Sequence, residues 1–278
     1  MTQSDQLQVN ASAWQRGDHV AEYANRRLLP VEVVILIRYR DVLSRRTLEV
    51  GCGAGRILGY VAQLGGEAHG IDISPAMVEH CRSRYPAADT RVGDLADIGR
   101  SAEGPFDALL ALDNVLDVFD DAERRRVLTD LRALLSPDGL LIFSSHNLAY
   151  VDRSAPRDGD RAAPARGGPG RARRLLSEVA SRPPSNVARA VARIPGRRRN
   201  RKRLGPLQRR GDGFAIINDS AHDYALLHYY IGRDDQERQL HETGFELIEA
   251  LDADGRPVGP GQPNPDPWLH YVARIRIG

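Results

Sequence analysis

Short apolar runs alternate with segments of helical periodicity through the middle of the chain. The predicted strands span about 47–50, 68–72, 90–93, 106–112 and 140–144. The predicted helices lie between them, at about 56–64, 74–84 and 121–135. Strands that alternate with helices in this way build a mostly parallel sheet that helices cover on both faces. The pattern therefore predicts an α/β fold for this part of the chain.

Strand signals return after a long interruption. Two apolar runs at 214–218 and 224–231, joined by a polar turn, predict a β-hairpin. A helix over 234–242 precedes two further strands, at 245–251 and 269–277. Because no helix separates the last two strands, we expect them to pair antiparallel. The sheet therefore gains an antiparallel C-terminal strand.

Charge divides the chain into segments. Its 278 residues carry a formal charge of +2, yet residues 151–213 hold 18 Lys and Arg against five Asp and Glu. Seven Pro and eight Gly in the same segment interrupt long helices and strands. We predict an Arg-rich lid insertion with the hairpin over 151–231. It would separate two parts of one core, 46–150 and 232–278, and a helical cap would cover 1–45.

Composition limits the class of protein. A hydrophobic content of 41% is sufficient for a packed core. No run approaches the roughly 18 apolar residues of a membrane-spanning helix, and residues 1–10 lack the regions of a signal peptide. The two cysteines, Cys52 and Cys81, are too few for a disulfide framework or a multi-cysteine zinc site. The missing signal peptide and the few cysteines predict a cytoplasmic protein. No histidines have metal-ligand spacing, so we predict no metal site.

A glycine-rich turn follows the first predicted strand. The segment from Glu49 to Arg56 reads EVGCGAGR. Glycine lets the backbone turn sharply and approach a ligand closely, and the helix that follows offers free N–H groups. The spacing differs from the dinucleotide fingerprint, which requires glycine where Arg56 stands, and from a P-loop. A tight turn without a ligand is the alternative interpretation.

Polar residues follow the next three predicted strands. Asp72 ends the second strand, Asp94 follows the third, and Asp113 and Asn114 follow the fourth. The carboxyl ends of parallel strands meet at one edge of the sheet, where open α/β folds bind ligands. A carboxylate at Asp72 can accept hydrogen bonds from both hydroxyls of a ribose. A helix cap or a turn residue is the alternative for each Asp taken alone.

These motifs together resemble the class I S-adenosylmethionine-dependent methyltransferases. The matching segments are Glu49–Gly55 for the first motif, GIDIS around Asp72 for the second, Gly93-Asp94 for the adenine-side motif, and Asp113-Asn114 for the motif beneath the methionine. The resemblance covers about residues 48–147 and, more loosely, 234–277. It implies a Rossmann-like parallel sheet and S-adenosyl-L-methionine as the cofactor. It does not identify the methyl acceptor.

The resemblance also implies roles for individual residues. The amino-acid part of the cofactor would be held by Glu49, Gly51, Cys52, Gly53 and Gly55. The ribose would be held by Asp72 with Ile73, the adenine by Asp94 and Leu95, and the region near the sulfonium by Asp113 and Asn114. The sulfonium carries an activated methyl group, so such a protein mainly aligns the acceptor and excludes water.

A base is required only when the acceptor arrives protonated. His146 follows the fifth predicted strand, and an imidazole, with an ordinary pKa of about 6.5, can take a hydroxyl proton at neutral pH. His228 and Tyr230 are the further candidate catalytic residues. In strand register they share a face with Tyr224 and Leu226, and this face suits one wall of an acceptor pocket. The alternatives are a histidine that bonds only to backbone and an ordinary amphipathic strand.

The sequence favours methyl transfer to a small-molecule acceptor, at oxygen because His146 can serve as the base. Arg and Ala richness is typical of a high-GC bacterial source, where such enzymes often modify secondary metabolites or sugars. An RNA or another phosphate-bearing acceptor, bound by residues 197–203, ranks lower because 151–213 contains no Tyr or Trp for stacking. A cofactor-binding regulator without catalysis is the alternative outside enzymes. The oligomeric state, a homodimer included, stays open.

Overall fold

The structure, a computed structural model, describes residues 10, 23–24, 26–154 and 195–276. Much of the predicted helical cap and residues 155–194 of the predicted insertion lie outside these residues. The described helices are α1 (Pro30–Arg38), α2 (Arg40–Leu43), α3 (Leu58–Gln63), α4 (Pro75–Arg84), α5 (Ile98–Ser101), α6 (Asp121–Ala133), α7 (Leu148–Ser154), α8 (195–204) and α9 (Arg233–Glu242). The strands are β1 (Thr47–Val50), β2 (Ala68–Asp72), β3 (Asp89–Val92), β4 (Phe106–Ala111), β5 (Leu135–Asn147), β6 (Arg209–Arg210), β7 (Phe214–Ile217), β8 (His228–Ile231), β9 (Phe245–Leu251) and β10 (Trp268–Ile275).

The strands form one mixed sheet. Five of them lie in the order β3-β2-β1-β4-β5 and are parallel. β10 pairs antiparallel with β5, and β9 pairs antiparallel with β10. The predicted parallel sheet with an antiparallel C-terminal strand is confirmed. Chain order reverses between β1 and β4, which is the position where open α/β sheets bind ligands.

The central strand β4 is buried on both faces. Leu109 packs into one hydrophobic cluster with α6 residues such as Val127, while Leu110 packs into a second cluster with Val31 of α1 and Leu58 of α3. Successive side chains of a strand point to opposite faces, so one apolar run supplies both layers. Burial of each leucine contributes about 1.5–3 kcal/mol.

Within the described ranges, no helix combines the length and apolar composition needed to cross a membrane.

The hairpin differs from the sequence prediction in its length. β7 and β8 pair antiparallel as predicted, but β8 begins only at His228. A 3₁₀ turn occupies Ala221–Tyr224, and its last three residues have φ values of +46°, +58° and +61°. Strand geometry is impossible with such φ values. The prediction that Tyr224 and Leu226 share strand register with His228 is therefore wrong.

The hairpin also belongs to the main sheet. His146 pairs with Trp268 of β10 on one side and with Tyr230 of β8 on the other. β8 therefore lies on the side of β5 that β4 occupies as far as Phe143. β5 continues beyond the end of β4, and its extra length brings the hairpin over the carboxyl end of β4. β5 also starts earlier than the predicted strand over 140–144, at Leu135.

Candidate active site

A cavity of ≈ 270 Å³ lies at the carboxyl edge of the sheet. Its wall includes most of the predicted cofactor residues, namely Glu49, Gly51, Cys52, Gly53, Asp72, Ile73, Asp94, Leu95, Asp113 and Asn114. The candidate bases His146 and His228 line the same cavity, whereas Gly55 and Tyr230 do not. The fold thus brings residues of β1, β2, β5 and β8, together with residues that follow β3 and β4, around one space.

The glycine turn after β1 needs its glycines for two different reasons. Gly51, Gly53 and Gly55 have φ values of +68°, +52° and +83°, which side chains disfavour. A Cβ on Gly53 would meet no atom within 4 Å, so this glycine leaves open the space in front of it. A Cβ on Gly55 would lie 2.5 Å from Sγ of Cys81 in α4. Gly53 therefore shapes the cavity, while Gly55 permits close packing behind it.

Asp72, at the end of β2, ties two loops together. Its Oδ2 accepts a hydrogen bond from the Gly53 amide at 2.9 Å, and its Oδ1 accepts one from the Ser74 amide at 2.8 Å. Burial raises the pKa of Asp72, although the two amide hydrogen bonds oppose this shift. Each carboxylate oxygen can accept a further hydrogen bond from a ligand hydroxyl.

Glu49 is a buried carboxyl group with an incomplete set of partners. The residue is 4% exposed, and its Oε2 has no hydrogen-bond partner among the described residues. Burial raises the pKa of Glu49 well above the ordinary value, and nearby Arg56 only partly offsets this. Arg56 is itself engaged by Glu32 at 2.8 Å and by Asp113 at 2.9 Å. Glu49 is therefore poised to receive a cationic hydrogen-bond donor.

Strained backbone follows β4. Asp113 and Asn114 have φ values of +55° and +59°, an uncommon conformation for residues with side chains that clusters at functional sites. The Asn114 amide donates to Oγ of Ser144 at 2.8 Å, which supports the bend. Oδ1 of Asn114 is buried without a partner in the described part of the chain. This oxygen adds a second unsatisfied acceptor to the cavity wall.

Asp94, after β3, has a structural role in the described contacts. Its Oδ1 accepts a hydrogen bond from the Ala96 amide at 2.8 Å and caps a 3₁₀ turn. This is the helix-cap alternative that the sequence left open. Asp94 and Leu95 nevertheless line the cavity, so their predicted adenine contacts stay predictions.

His146 is held by a carboxylate that the sequence did not reveal. Nδ1 of His146 lies 2.6 Å from Oδ2 of Asp117, and the His146 amide donates to the same oxygen at 2.7 Å. A carboxylate only accepts, so Nδ1 carries a hydrogen and Nε2 of the neutral imidazole keeps its lone pair. Nε2 lies 3.5 Å from Nδ2 of Asn114. In this tautomer Nε2 accepts a long hydrogen bond from Nδ2 of Asn114, which an acceptor hydroxyl in the cavity would replace.

Asp117 stays ionised in a fully buried position. Nη1 of Arg124 donates to its Oδ1 at 2.6 Å, and Oγ of Ser145 donates to the same oxygen at 2.7 Å. Burial opposes ionisation, but the charge of Arg124 and the contacts with His146 outweigh it and lower the pKa of Asp117. The sequence signal for this network was Arg124 itself, which stands on the apolar face of α6 beside Val127 and Leu128.

A second imidazole and carboxylate face the first pair. Nδ1 of His228 lies 2.8 Å from Oδ2 of Asp219, and the hydroxyl of Tyr230 donates to the same oxygen at 2.6 Å. Burial opposes ionisation of Asp219, but these hydrogen bonds hold its pKa well below the usual range. The rings of His146 and His228 stack with centroids 4.9 Å apart, and Tyr230 lies 4.7 Å from His146. Asp219 lies in the turn predicted between the hairpin strands and was not identified as a site residue.

The same cluster offers three donor groups to a metal ion. Ligand atoms of His146, Asp219 and His228 lie within 4.8 Å of one another. The two rings are only 23° from parallel, and a ring nitrogen directs its lone pair within the plane of its ring. Two stacked rings therefore cannot direct both lone pairs at one ion without rotation. The arrangement favours proton transfer and hydrogen bonding.

The described part of the Arg-rich segment braces the turn beside the cavity. Nε of Arg197 donates to Asp223 at 2.7 Å, and Nδ2 of Asn200 donates to the Asp223 carbonyl at 3.0 Å. Both donors lie in α8, and the neighbouring His222 lines the cavity. A lid function of the whole insertion stays a prediction.

Residues 47–139 match the family described as Methyltransferase domain. The chain is 29% identical over 124 residues to a ubiquinone biosynthesis O-methyltransferase of Xanthomonas oryzae pv. oryzae, which covers 43% of this chain and 51% of the relative. It is 27% identical over 150 residues to the protein of the same name from Xanthomonas campestris pv. campestris, covering 52% and 61%. The chain thus matches between half and two thirds of the length of these relatives.

Solved structures share the fold over nearly the whole chain. The 1,6-didemethyltoxoflavin-N1-methyltransferase of Burkholderia thailandensis superposes with a TM-score of 0.59 at 13% identity, covering 100% of this chain and 92% of that chain. The CcbJ methyltransferase of Streptomyces caelestis gives 0.57 at 16% identity, with 95% and 97% covered. A TehB-like methyltransferase of Corynebacterium glutamicum gives 0.54 at 16%, with 97% and 100% covered. At identities this low, the superpositions establish the fold alone.

Proposed function

We propose that this chain, whose residues 47–139 form a class I S-adenosylmethionine-dependent methyltransferase domain, transfers a methyl group to a hydroxyl oxygen of a small-molecule acceptor. The observation that carries the proposal is His146 on the wall of the cavity that the glycine turn shapes, with the buried carboxylate of Asp117 against its Nδ1. The relatives named as ubiquinone biosynthesis O-methyltransferases support transfer to oxygen.

The cavity wall fits the cofactor in charge and in shape. The unpartnered Oε2 of Glu49 suits the ammonium of an amino acid, and the carboxylate of Asp72 suits ribose hydroxyls. Oδ1 of Asn114 is a further buried acceptor that a ligand donor would satisfy. The open space before Gly53 admits the ligand against the backbone. S-adenosylmethionine, when bound, supplies a methyl group activated by its positively charged sulfur.

The protein's own task is to orient the acceptor and to remove its proton. As the acceptor oxygen gains the methyl group, its proton moves to Nε2 of His146. Asp117 accepts the hydrogen bond from Nδ1 of His146, so it keeps the ring in the correct tautomer and stabilises the imidazolium that forms. Arg124 keeps Asp117 ionised and buried, which preserves this arrangement between turnovers.

The proposal is tested on the full chain with His146→Ala and a matched variant, His69→Ala. His69 also faces a carboxylate, Asp89 at 3.4 Å, but does not line the cavity. Calorimetry should give similar affinities for S-adenosylmethionine in all three proteins. Transfer of labelled methyl groups into a bacterial extract should fall about 100-fold in His146→Ala and stay unchanged in His69→Ala. No heat of binding would refute the cofactor assignment, and an unchanged rate in His146→Ala would remove this histidine as the base.

Fractionation of the labelled extract tests the acceptor class. We expect the label in the fraction of small organic molecules, because the cavity is a concave site bordered by the sheet edge, by His228 of the hairpin and by the turn that connects the hairpin strands. Label recovered in RNA would contradict a small-molecule acceptor. In that case neutral substitutions in α8, such as Arg198→Gln with Arg199→Gln, should reduce both the labelling and its dependence on salt.

A further inference from the structure

The proposed function leaves His228 without a task, although this residue resembles His146 in its setting. Both imidazoles line the cavity, both are more than nine-tenths buried, and both have Nδ1 beside a carboxylate oxygen. Asp219 is fully engaged, because its Oδ2 contacts His228 and Tyr230 and its Oδ1 accepts from the Ala221 amide at 2.8 Å. This carboxylate fixes the orientation of the His228 ring.

His228 lines the cavity, and its Nε2 is the ring nitrogen left for a ligand. With Nδ1 committed to Asp219, only Nε2 remains to meet a ligand, and it has no hydrogen-bond partner among the described residues. Tyr230 does not line the cavity, and its hydroxyl donates a hydrogen bond to Asp219. Tyr230 therefore positions the carboxylate. A hydroxyl group suits Nε2 in either protonation state, because a hydroxyl both donates and accepts.

The stacking geometry limits where a second hydroxyl can lie. The rings of His146 and His228 are 4.9 Å apart at their centroids and 23° from parallel. A hydrogen-bonded oxygen lies near the plane of the ring that binds it. Two oxygens bound by Nε2 of the two rings therefore lie in two different, nearly parallel planes. Where both nitrogens point the same way into the cavity, the oxygens are separated by about the 4.9 Å between the ring centroids. Oxygens on adjacent carbons lie only about 3 Å apart, so hydroxyls on carbons 1 and 3 fit this spacing better.

We propose that His228, oriented by Asp219, is a specificity-determining residue that binds a second hydroxyl of the acceptor, placed 1,3 to the hydroxyl that faces His146. The inference rests on the proposed function and names the class of acceptor, a 1,3-dihydroxylated compound. His146 accepts the proton of the hydroxyl that is methylated, and His228 holds the acceptor in one orientation in the cavity. An acceptor without the second hydroxyl leaves Nε2 of His228, a residue that is 6% exposed, without this partner, which penalises binding of that acceptor.

The test uses resorcinol, catechol and phenol as probes, titrated by NMR into the full chain saturated with S-adenosylhomocysteine. Resorcinol should bind about 3- to 10-fold more tightly than phenol and catechol, the range of one hydrogen bond. In His228→Phe, which keeps a ring against His146 but lacks the nitrogen, the three affinities should converge. In His69→Phe, the same exchange beside a carboxylate away from the cavity, the preference should persist.

A second measurement needs no variant. In long-range nitrogen spectra of the labelled chain, resorcinol should shift Nε2 of both His146 and His228, whereas phenol should shift that of His146 alone. Equal binding of resorcinol and phenol, tighter binding of catechol, or a preference that survives in His228→Phe would overturn the proposal. Calorimetry with S-adenosylhomocysteine on the same samples distinguishes failure of the proposed function from failure of the role of His228. Absent binding there refutes the proposed function, whereas normal binding with no resorcinol preference refutes only the role of His228.

Discussion

Substitution of Glu49 by glutamine separates the cost of a buried carboxyl group from its use in binding. In the free protein, burial raises the pKa of Glu49 well above the ordinary value of about 4.3. The carboxyl group is therefore protonated over part of the pH range in which its neighbours are ionised. An ammonium group placed against Oε2 favours the ionised form, so cofactor binding should release one proton.

The sign and size of the effect follow from linkage. Below the raised pKa of Glu49, the affinity for S-adenosylhomocysteine should increase with pH, by at most tenfold per pH unit for one proton. Between pH 5.5 and 7 this amounts to at most about 30-fold. Glu49→Gln cannot ionise, so its affinity should be nearly independent of pH there. Loss of a charge-assisted hydrogen bond, about 1.5–3 kcal/mol, should weaken binding about 10- to 150-fold at pH 7.

A rise in pH should lower the stability of the free protein, whereas it should raise the affinity for the cofactor. A carboxyl group whose folded pKa exceeds its unfolded pKa contributes stability that is fully present below the unfolded value and is lost as pH rises through the folded value. Glu49→Gln should therefore be at least as stable as the parent at neutral pH while binding the cofactor less well. This combination distinguishes a binding carboxylate from a structural one.

Calorimetry at several pH values, in buffers of different ionisation enthalpy, measures both affinity and proton release. Thermal unfolding of the free proteins gives the stability. Glu246→Gln is the control, because Glu246 is an exposed carboxylate of β9 paired with Arg274 at 2.9 Å. If the parent binds with no pH dependence, or if Glu49→Gln retains the slope, the reasoning about this carboxyl group is wrong.

Three further substitutions probe the rest of the site. Asp72→Ala should weaken cofactor affinity at least about tenfold by calorimetry, because its oxygens organise the Gly53 and Ser74 amides; unaltered affinity would count against the ribose assignment. Asp117→Asn should leave that affinity within about threefold but reduce methyl transfer about 100-fold, since an amide does not enforce the His146 tautomer; a normal rate would exclude this role. Arg124→Met should lower the free energy of unfolding by about 3–5 kcal/mol in denaturant titration, because it leaves Asp117 charged and buried; a loss below about 1 kcal/mol would show that the pair is not essential to the fold.

Much of the cofactor side was predictable from local pattern. β1, β2 and the glycine turn between them lie where short apolar runs and glycines predict them. A strand that is buried on both faces appears in the sequence as a continuous apolar run, so local pattern is sufficient to locate it. Asp72, Asp113 and Asn114 follow strand ends, and parallel strands bring such residues to one edge. The hairpin was predictable as a pairing but not in length, since the left-handed residues 222–224 carry no glycine signal.

The sequence alone determined the α/β sheet, the glycine turn and the edge at which the site lies, because these depend on periodicity and on backbone conformation. Only the tertiary structure decided which carboxylate holds which imidazole. Asp117 is 29 residues from His146, and the stack of His146 on His228 forms only because β8 pairs with the part of β5 that extends beyond β4. Hydrogen bonds between distant side chains depend on the packing of whole strands, and no local pattern along the chain specifies that packing.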